Sequence, residues 1–505
     1  MNIYRPRPEA FGTGRPQESE TILIAGASIA GLAAALVLAD GRRRILLLER
    51  DSSPPAILPH QSFERWQRRG VAQFRHSHVF LGRLTALLRA EHPLLLQELL
   101  AAGARVFGFR DTLPPDLRQR YVAKPGDEDL ALLYCRRATV EFVMRRHVER
   151  LPGVRILDGA KVHGILTRRG QDFLIAQGLA VTCDGREQEL GGGILIDASG
   201  RGTHFPHWLR QRGVTVGEEK SPAGILYFTR HYCLHDGWDE PAFDGSPTAG
   251  DLGYLKYGVC PADNRHFSIT LALPEVEEEL RRAIADPATF DLVGMALPGS
   301  ARWIERAQGV SPVYAMAGLM SCWRSYLKDG RPQVLNFFAI GDAAIRSNPL
   351  YGCGCSAGIL HASILSAVLE ETDNPARRAI ALERRTQDQF RAHYEAMARQ
   401  DRQAVRRAES GKSGNQTPGY KARLRKSLMD EGLVPALRGD LGVVRAQARA
   451  FHMIDPPVAW RKHPGLFARV LWMWAKPRRF KRAARLYPAP LGPEREKMIA
   501  RLGLG

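Results

Sequence analysis

Residues 21 to 50 combine an apolar strand, a turn of small residues, a helix and a second apolar strand that ends in an acid. The turn reads Gly26-Ala27-Ser28-Ile29-Ala30-Gly31 and follows the pattern G-x-S-x-x-G. Gly26 permits the tight turn, Ser28 is small enough for backbone to approach a phosphate, and Gly31 allows the helix to pack against the sheet. The free N–H groups and dipole of the helix start attract phosphate. Glu49, followed by Arg50, ends the second strand, where a carboxylate can accept ribose hydroxyls. The segment is typical of a dinucleotide-binding site.

This pattern alone leaves a second interpretation open, because glycine-containing strand-to-helix turns also occur in α/β proteins that bind no nucleotide. A signal peptide or a membrane span fits the apolar stretch poorly. Glu18 and Glu20 precede it, it has no basic beginning, and glycines interrupt it before Asp40.

The composition bounds the class of protein. A length of 505 residues allows two or three structural units around a large core. The seven cysteines are scattered and form no C-x-x-C pair, which favours a reducing cytoplasm and argues against disulfides or a zinc site. A net charge of +19 attracts polyanions, acidic lipids or acidic partners. We expect no nucleic-acid partner, because the chain has no nucleic-acid-binding motif and no basic stripe with stacking aromatics.

Basic residues are concentrated near the C-terminus. Residues 402 to 426 mix them with polar residues, glycine and proline, and we expect a solvated connection between helices there. In residues 460 to 487, apolar residues recur at helical spacing before a basic run: Leu466, Phe467, Val470, Leu471, Trp472 and Trp474. Such a helix suits peripheral contact with an anionic membrane, or packing on the protein's own body.

Three further blocks follow the first turn. Residues 135 to 150 form a helical pattern that contains Arg137, and a β meander is predicted after it. Residues 194 to 202, ILIDASGRG, are an apolar strand that enters a glycine-rich turn. Residues 334 to 358 combine a buried strand, VLNFFAI, with Gly341-Asp342, a loop containing Pro349, Gly352 and Gly354, and an apolar helix over residues 357 to 369. Gly341 permits close backbone approach to a ligand, and Asp342 places a carboxylate where a polyol can donate to it.

The order of these blocks resembles the para-hydroxybenzoate hydroxylase-like superfamily of FAD-dependent monooxygenases, over residues 20 to 400. Residues 70 to 104 resemble the branch with flavin-dependent polyene epoxidases and related natural-product oxidoreductases. The resemblance implies an α/β architecture: a Rossmann-type FAD-binding domain (GR2-like) with an inserted antiparallel-sheet substrate domain and a C-terminal helical region. The expected boundaries are 20–220 and 326–400 for the FAD-binding domain, 221–325 for the substrate domain and 401–505 for the basic helical region.

The resemblance also implies roles for individual residues. The pyrophosphate of FAD would lie on the turn from Gly26 to Gly31, and the adenosine ribose at Glu49 beside Arg50. Arg137 would lie along the phosphates or ribityl chain, and Gly341 with Asp342 at the ribityl and pyrophosphate region. The turn that contains Pro349, Gly352 and Gly354 would lie beside the isoalloxazine, where the following helix start stabilises negative charge.

Two features depart from the family pattern. Residues 197 to 200 read Asp-Ala-Ser-Gly, as in halogenases, epoxidases and isoprenoid reductases, which leaves the route of flavin reduction open between NAD(P)H and a separate flavin reductase. The loop also carries Cys353 and Cys355 where relatives have small or polar residues. Packing, redox chemistry and covalent flavin attachment are the alternatives for these thiols.

Flavin monooxygenation needs no acid–base pair at fixed spacing, because the reduced cofactor forms a C4a-hydroperoxide with O₂ and transfers one oxygen atom. The resemblance places one segment and the loop close to the ring, and the catalytic candidates there are Arg75, His76 and His78 from the segment and Asn348 and Tyr351 from the loop. For the two histidines, a hydrogen-bonded structural role competes with proton transfer, and their spacing suits one face of a strand. No metal site is expected, because further ligands cannot be identified.

The substrate unit contains three strand-like segments rich in aromatic residues, and we expect its sheet to roof the flavin over an apolar pocket. The aromatic residues are Tyr227, Phe228, Tyr232, Tyr254, Tyr257 and Phe267.

The leading hypothesis is a cytoplasmic FAD-dependent monooxygenase that hydroxylates or epoxidises a hydrophobic small molecule with O₂. The alternatives are a flavin reductase or dehydrogenase of isoprenoid-like substrates, a flavin-dependent halogenase, and a non-catalytic flavin-binding protein. For the halogenase, Trp472-Met473-Trp474 matches the W-x-W signature but lies near the C-terminus.

Overall fold

The computed structural model describes residues 20–243, 247–413 and 419–504; Glu18, used in the sequence argument, lies outside them. The strands, in chain order, are β1 (Thr21–Ala25), β2 (Arg44–Leu48), β3 (Arg105–Phe107), β4 (Leu132–Tyr134), β5 (Val154–Leu157), β6 (Lys161–Arg169), β7 (Leu174–Cys183), β8 (Arg186–Gly191), β9 (Ile194–Asp197), β10 (Gly217–Pro222), β11 (Ile225–Leu234), β12 (Ala249–Asp251), β13 (Lys256–Pro261), β14 (His266–Pro274), β15 (Ala307–Gly309), β16 (Tyr314–Met316), β17 (Met320–Ser325), β18 (Leu327–Lys328), β19 (Arg331–Pro332), β20 (Val334–Leu335), β21 (Phe337–Ala339) and β22 (Ile345–Arg346).

The α-helices are α1 (Ile29–Leu38), α2 (Ser62–Arg65), α3 (Gly82–Glu91), α4 (Pro93–Ala101), α5 (Pro115–Gln119), α6 (Arg137–Val148), α7 (Phe205–Gln211), α8 (Glu278–Ala283), α9 (Pro287–Met295), α10 (Pro298–Ile304), α11 (Gly354–Glu371), α12 (Pro375–Ser413), α13 (Tyr420–Leu428), α14 (Val434–Gly439), α15 (Leu441–Phe451), α16 (Ala459–Lys462), α17 (Pro464–Ala475), α18 (Arg478–Ala483) and α19 (Arg495–Arg501). Mixed α/β architecture with a C-terminal helical region is therefore confirmed.

A five-stranded parallel sheet forms the centre of the fold, in the order β21-β9-β1-β2-β5. Alternate side chains of β1 enter two cores. Ile22 and Ile24 pack with α1 and α11, whereas Leu23 and Ala25 pack with the antiparallel strands β6 and β7 and with α7. Both faces of this sheet are therefore covered, as is typical of parallel sheets. Burying each of its larger aliphatic side chains contributes about 1.5–3 kcal/mol.

The predicted strand VLNFFAI is wrong as one element. Asn336 has a φ of +58° and divides it into β20, which pairs with β7, and β21, which pairs with β9. Asparagine tolerates this left-handed conformation better than most residues, so the chain can change sheets at that position. The helix predicted from residue 357 begins three residues earlier, with Gly354.

The antiparallel sheet of the substrate unit is observed, with the strand order β12-β13-β14-β11-β15 and with β16 beside β11. The predicted meander is β6, β7 and β8. A smaller sheet, β10-β17-β22, connects this region to the parallel sheet.

The connection predicted over residues 402 to 426 is wrong in part. The long helix α12 continues to Ser413 and α13 begins at Tyr420, so most of that stretch is helical. The expected boundary at residue 400 falls inside α12, and the four domain ranges remain predictions.

The apolar residues of α17 divide between the C-terminal core and the surface. Val470 and Met473 are buried with Leu433, Ala436 and Trp460, whereas Trp472 is 63% exposed. The helix thus packs on the protein's own body, the second alternative of the sequence argument, and membrane contact stays a prediction. Across the described ranges, no helix has the length and hydropathy needed to span a bilayer.

Candidate active site

The carboxyl ends of β1, β9 and β21 lie side by side, because these three parallel strands are neighbours in the sheet. Each strand continues into one of the loops singled out in the sequence. A Cβ on Gly26 would lie 2.6 Å from the carbonyl oxygen of Ala198, and a Cβ on Gly341 would lie 2.8 Å from Cβ of Ala30. The first turn, the Asp197-Ala198-Ser199-Gly200 loop and the Gly341-Asp342 corner are therefore in contact.

Two helices begin at this edge. The initial N–H groups of any helix have no partner within the helix, and those of α1 also have no side-chain cap. A Cβ on Gly358 of α11 would contact Ala30 at 3.4 Å. A Cβ on Gly31 would lie 1.9 Å from the carbonyl oxygen of Gly26, so glycine is required where α1 meets its own turn.

A cavity of about 420 Å³ lies between this edge and the antiparallel sheet. Its walls include predicted site residues from four parts of the chain: Ser28, Ile29, Ala30, His76, His78, Arg137, Gly341, Asp342, Pro349, Tyr351, Gly352 and Gly354. The structure thus brings most of the predicted set around one space.

Seven predicted residues lie outside the lining of the cavity: Gly26, Ala27, Gly31, Glu49, Arg50, Arg75 and Asn348. Gly26, Ala27 and Gly31 form the packed side of the first turn, and Arg50 is exposed at the surface. Arg75 lies over the rings of Phe63 and Tyr314, and its Nε donates to the carbonyl oxygen of Phe63 at 3.1 Å. The structure does not bring Arg75 to the cavity.

Glu49 lies behind the first turn and is only 4% exposed. Its Oε2 accepts from the backbone N–H of Ala27 at 3.0 Å and pairs with Arg68 at 3.0 Å, and its Oε1 accepts from the N–H of Asp51. The carboxylate therefore fixes the turn, and its contact with a ribose remains a prediction.

Arg137 is the buried cation of the site. Its guanidinium donates to Oγ of Ser28 at 2.9 Å, and pairs with Glu141 at 3.3 Å one helical turn further along α6. Ser28 also donates to Glu141, at 2.8 Å. The side chain is thus held at the start of α1, where a positive charge adds to the helix dipole.

Sequence reasoning missed the roles of Glu141 and Arg68. Arg68 pairs with Glu141 at 2.7 Å and with Glu49 at 3.0 Å, so it joins the start of α6 to the end of β2. The i,i+4 spacing of Arg137 and Glu141 was a signal for that pair. No local spacing indicates the role of Arg68, because its partners lie far away along the chain.

Asp342 lies in the cavity wall with cationic side chains around it. Burial raises the pKa of this carboxyl group, and the positive charges of Arg137, Arg346 and Arg201 partly counteract the shift. A carboxyl group in such a place is able to accept from, or donate to, a ligand hydroxyl.

His78 is a neutral acceptor in this site. Burial and the charge of Arg137 lower its pKa from 6.5 to about 3. Arg137 donates to Nε2 at 3.3 Å, and Nδ1 lies 2.9 Å from the carbonyl oxygen of His76, which can only accept. The proton of the ring is therefore on Nδ1, and the histidine positions Arg137.

His76 belongs to the opposite wall. Its Nδ1 lies 3.0 Å from Oγ1 of Thr229 on β11, and burial lowers its pKa to about 4. The expectation that residues 76 and 78 share a strand is wrong: the segment is irregular, and the first strand-like pairing is an isolated bridge at Phe80.

A buried network holds the loop that was predicted to lie beside the flavin ring. Asn348 donates to Asp401 of α12 at 2.9 Å and accepts from the hydroxyl of Tyr227 at 2.5 Å. Tyr351 also donates to Asp401, at 2.9 Å. Asp401, which sequence reasoning missed, therefore ties the loop to the long helix, and Tyr227 ties it to the sheet.

The two loop cysteines are buried thiols. Burial raises the pKa of Cys353 to about 12 and that of Cys355 to about 11, so both are protonated at neutral pH. Cys355 lines the cavity, with its sulfur 3.8 Å from the guanidinium of Arg137. Cys353 lies outside the lining and donates to the carbonyl oxygen of Tyr351.

The expected aromatic roof is largely wrong. Tyr227 is on the cavity face of β11, but Phe228, Tyr232 and Phe267 pack on the other face against α8 to α10, as does most of Tyr257. The hydroxyl of Tyr254 donates to Pro493. Side chains alternate across a strand, so half of an aromatic strand must face the core. The cavity face instead carries Thr229, Ser268 and Thr270.

The described residues contain no cluster of three or more histidine, cysteine, aspartate or glutamate side chains that could hold a metal ion.

Comparisons with known proteins place the fold. The chain is 27% identical over 388 residues to protein Rv3254 of Mycobacterium tuberculosis, covering 73% of this chain and 77% of that protein. No protein-family profile matches the sequence.

Among solved structures, the flavin-dependent brominase Bmp2 aligns with a TM-score of 0.58 at 14% identity, over 89% of this chain and 99% of Bmp2. The p-nitrophenol 4-monooxygenase PnpA of Pseudomonas putida aligns with a TM-score of 0.53 at 16% identity, over 87% of this chain and 98% of PnpA. The chain has the fold of these flavin-dependent monooxygenases and halogenases, as the sequence motifs predicted.

Proposed function

We propose that this protein is an FAD-dependent monooxygenase that inserts one oxygen atom from O₂ into a small molecule with a hydrophobic body. The observation that carries the proposal is the meeting of three loops and two helix starts at one edge of the parallel sheet, beside a cavity that the antiparallel sheet lines on another side. Electrons come from NAD(P)H or from a separate flavin reductase.

The residues present fit FAD. The uncapped start of α1 and the guanidinium of Arg137 next to Ser28 suit a pyrophosphate, because both supply donors and positive charge at the same point. Asp342 in the cavity wall suits the hydroxyls of a ribityl chain. Gly26 and Gly341 have φ values of +102° and +57°, and their missing side chains let the loops approach Ala198 and Ala30 closely enough to form one edge.

FAD bound here, once reduced by NAD(P)H or a flavin reductase, would activate O₂ so that one of its oxygen atoms reaches the substrate. The protein's own part is positioning. Glu141 and His78 hold Arg137, Asp401 holds the loop from Asn348 to Tyr351, and the antiparallel sheet forms one wall of the cavity. The low pKa values of His76 and His78 favour hydrogen-bonded roles for both rings over proton transfer at neutral pH.

The structure offers no support for the halogenase signature. Trp472 is exposed on α17, and the indole N–H of Trp474 donates to Ser427 within the C-terminal region. Neither ring lines the cavity.

The visible spectrum of the purified protein, before and after acid denaturation, tests the cofactor. We expect a yellow protein that releases free FAD. Asp342→Asn should retain at least tenfold less FAD at a fixed dilution, whereas Asp172→Asn, in an exposed loop, should match the wild type. A protein that stays colourless with excess FAD would refute the proposal.

Oxygen-18 labelling under turnover tests the reaction. One labelled atom from ¹⁸O₂ in the product supports a monooxygenase. A reduced product without label would identify the reductase alternative, and a product that requires chloride or bromide would identify a halogenase. Oxygen consumption that no substrate stimulates, with FAD bound, would leave the non-catalytic alternative.

A further inference from the structure

Two arginines line the cavity without a carboxylate partner. Arg346, on β22, donates to the carbonyl oxygens of Met320 at 2.6 Å and of Arg201 at 3.0 Å. Arg201 makes one long contact, to the carbonyl oxygen of Gly318 at 3.4 Å. Both residues are only partly exposed, and neither forms an ion pair with any described carboxylate.

The other cations at this cavity are paired. Arg137 has Glu141, and Lys256 has Asp251 at 3.1 Å. Arg324, close to Arg346, pairs with Glu218 at 2.8 Å. Charges that are shielded from water in proteins are normally paired, and Arg346 and Arg201 are both partly shielded, so two guanidinium groups without an ion pair in one cavity wall need an explanation.

Asp342 does not supply that partner. Its carboxylate is close enough to interact electrostatically with both arginines, but it makes no ion pair or hydrogen bond with either. Burial and the neighbouring charges of Arg201 and Arg324 lower the pKa of Arg346, so the surroundings impose a free-energy cost on its charged form. An anion placed between the two guanidinium groups would remove this cost.

The surroundings indicate which anion fits. Met316, Leu319, Met320 and Leu350 line the same cavity and provide an apolar environment next to the two guanidinium groups. A ligand with an apolar body and one terminal carboxylate would satisfy both. The pyrophosphate of FAD is the other source of an oxyanion, but the start of α1 and Arg137 already provide a phosphate site at Ser28.

We propose that Arg346 and Arg201 form a subsite for a carboxylate of the substrate, so that the protein acts on an amphiphilic acid. This inference rests on the proposed function for the meaning of "substrate", but its test does not depend on turnover. An arginine pair can bind a carboxylate through parallel N–H donors, which a neutral group of the same shape cannot match.

The test is a pair of calorimetric titrations of the purified protein, which carries whatever FAD it retains through purification. One titrant is sodium octanoate and the other is octanamide, its neutral counterpart. We expect octanoate to bind at least tenfold more tightly than octanamide. Arg346→Gln and Arg201→Gln should each remove most of that preference, and Arg346→Lys should restore part of it. Arg186→Gln removes the same charge from an exposed position on β8 and should leave the preference unchanged.

The alternatives give different results. Equal binding of octanoate and octanamide by the wild type would overturn the carboxylate subsite, whether or not the protein is yellow. Loss of FAD from Arg346→Gln, with the octanoate preference intact, would assign the arginines to the cofactor phosphate and also overturn it. A colourless wild type that prefers octanoate would refute the proposed function and keep the anion subsite.

Discussion

Gly341 lies where the Gly341-Asp342 corner contacts the first turn, and its side chain of one hydrogen atom is required for two separate reasons. Its φ is +57°, which is strained for other residues, and a Cβ would lie 2.8 Å from Cβ of Ala30. Gly159 has a similar φ of +65° but nothing within 4 Å of its Cβ position. The pair therefore separates backbone strain from steric conflict.

We expect Gly159→Ala to lower the free energy of unfolding by about 1 kcal/mol through backbone strain alone. Gly341→Ala should cost about 1–3 kcal/mol more, because α1 must shift. Urea unfolding measures both. Ala30→Gly lowers stability by itself, because it places glycine in a helix. Measured against Ala30→Gly alone, Gly341→Ala should then cost no more than Gly159→Ala; equal losses in the two single variants would contradict the contact.

Residue types that act locally were predictable from the sequence, and residues that act at a distance were not. The sequence identified Gly26, Gly31 and Gly341, because a turn or a close approach of the backbone requires glycine. Arg68 and Asp401 do not, since their partners lie at Glu141 and Asn348, in other elements. Spacing along the chain carries no information about such pairs.

At the scale of elements, α12 acts as a support for the cavity loop. Asp401 accepts from Asn348 and Tyr351 through Oδ1, while its Oδ2 is buried without a hydrogen-bond partner. Burial raises the pKa of this carboxyl group. The loop position therefore depends on one acceptor atom on a neighbouring helix.

We expect Asp401→Ala to lower the free energy of unfolding by about 2 kcal/mol, because the buried amide of Asn348 loses its acceptor and the hydroxyl of Tyr351 keeps only the longer contact to Met397. Asp401→Asn keeps an acceptor oxygen and should cost less than half as much. Amide hydrogen exchange should rise in residues 348–354 in the alanine variant. Asp388→Ala, at an exposed position of the same helix, provides the control, and a matching increase there would exclude a specific role for Asp401.

Element types were predicted better than element limits. The strand-to-helix units at β1, β9 and β21 follow from apolar runs that end in glycine. The division at Asn336 and the extension of α12 to Ser413 depend on which sheet or helix lies opposite, and local pattern does not contain that information. The same limit explains why the aromatic residues of the antiparallel sheet were expected at the cavity, since the sequence pattern does not indicate which face of a strand meets it.

At the scale of the whole molecule, four buried histidines make stability depend on pH. Burial lowers the pKa of His76, His361 and His452 from 6.5 to about 4 and that of His231 to about 3. Below pH 6.5 the unfolded chain takes up protons that the folded protein does not. The contribution of these neutral rings to the free energy of unfolding is therefore fully present above pH 6.5 and decreases as the pH falls towards 4.

We expect the free energy of unfolding to fall steeply between pH 6.5 and 5, with each such histidine contributing up to about 1.4 kcal/mol per pH unit. Urea titrations at several pH values measure the slope. His452→Asn, which keeps an acceptor for the N–H of Gly82, should make the slope shallower. His163→Gln, at an exposed site, should not. A pH-independent wild type in this range would contradict the burial of these rings.

The polar row on the cavity face of the antiparallel sheet has a consequence for His76. Ser77 donates to Ser268, Thr270 donates to Ser77, and Thr229 lies 2.9 Å from Thr270. Each hydroxyl has one hydrogen atom to donate, so Thr229 donates to Thr270 and the whole row has one direction. With that direction, Nδ1 of His76 must donate to Thr229. If every hydroxyl rotates, the ring must become the other tautomer, and its second nitrogen changes from acceptor to donor. A ligand that prefers one tautomer would therefore set the orientation of four hydroxyl groups at once.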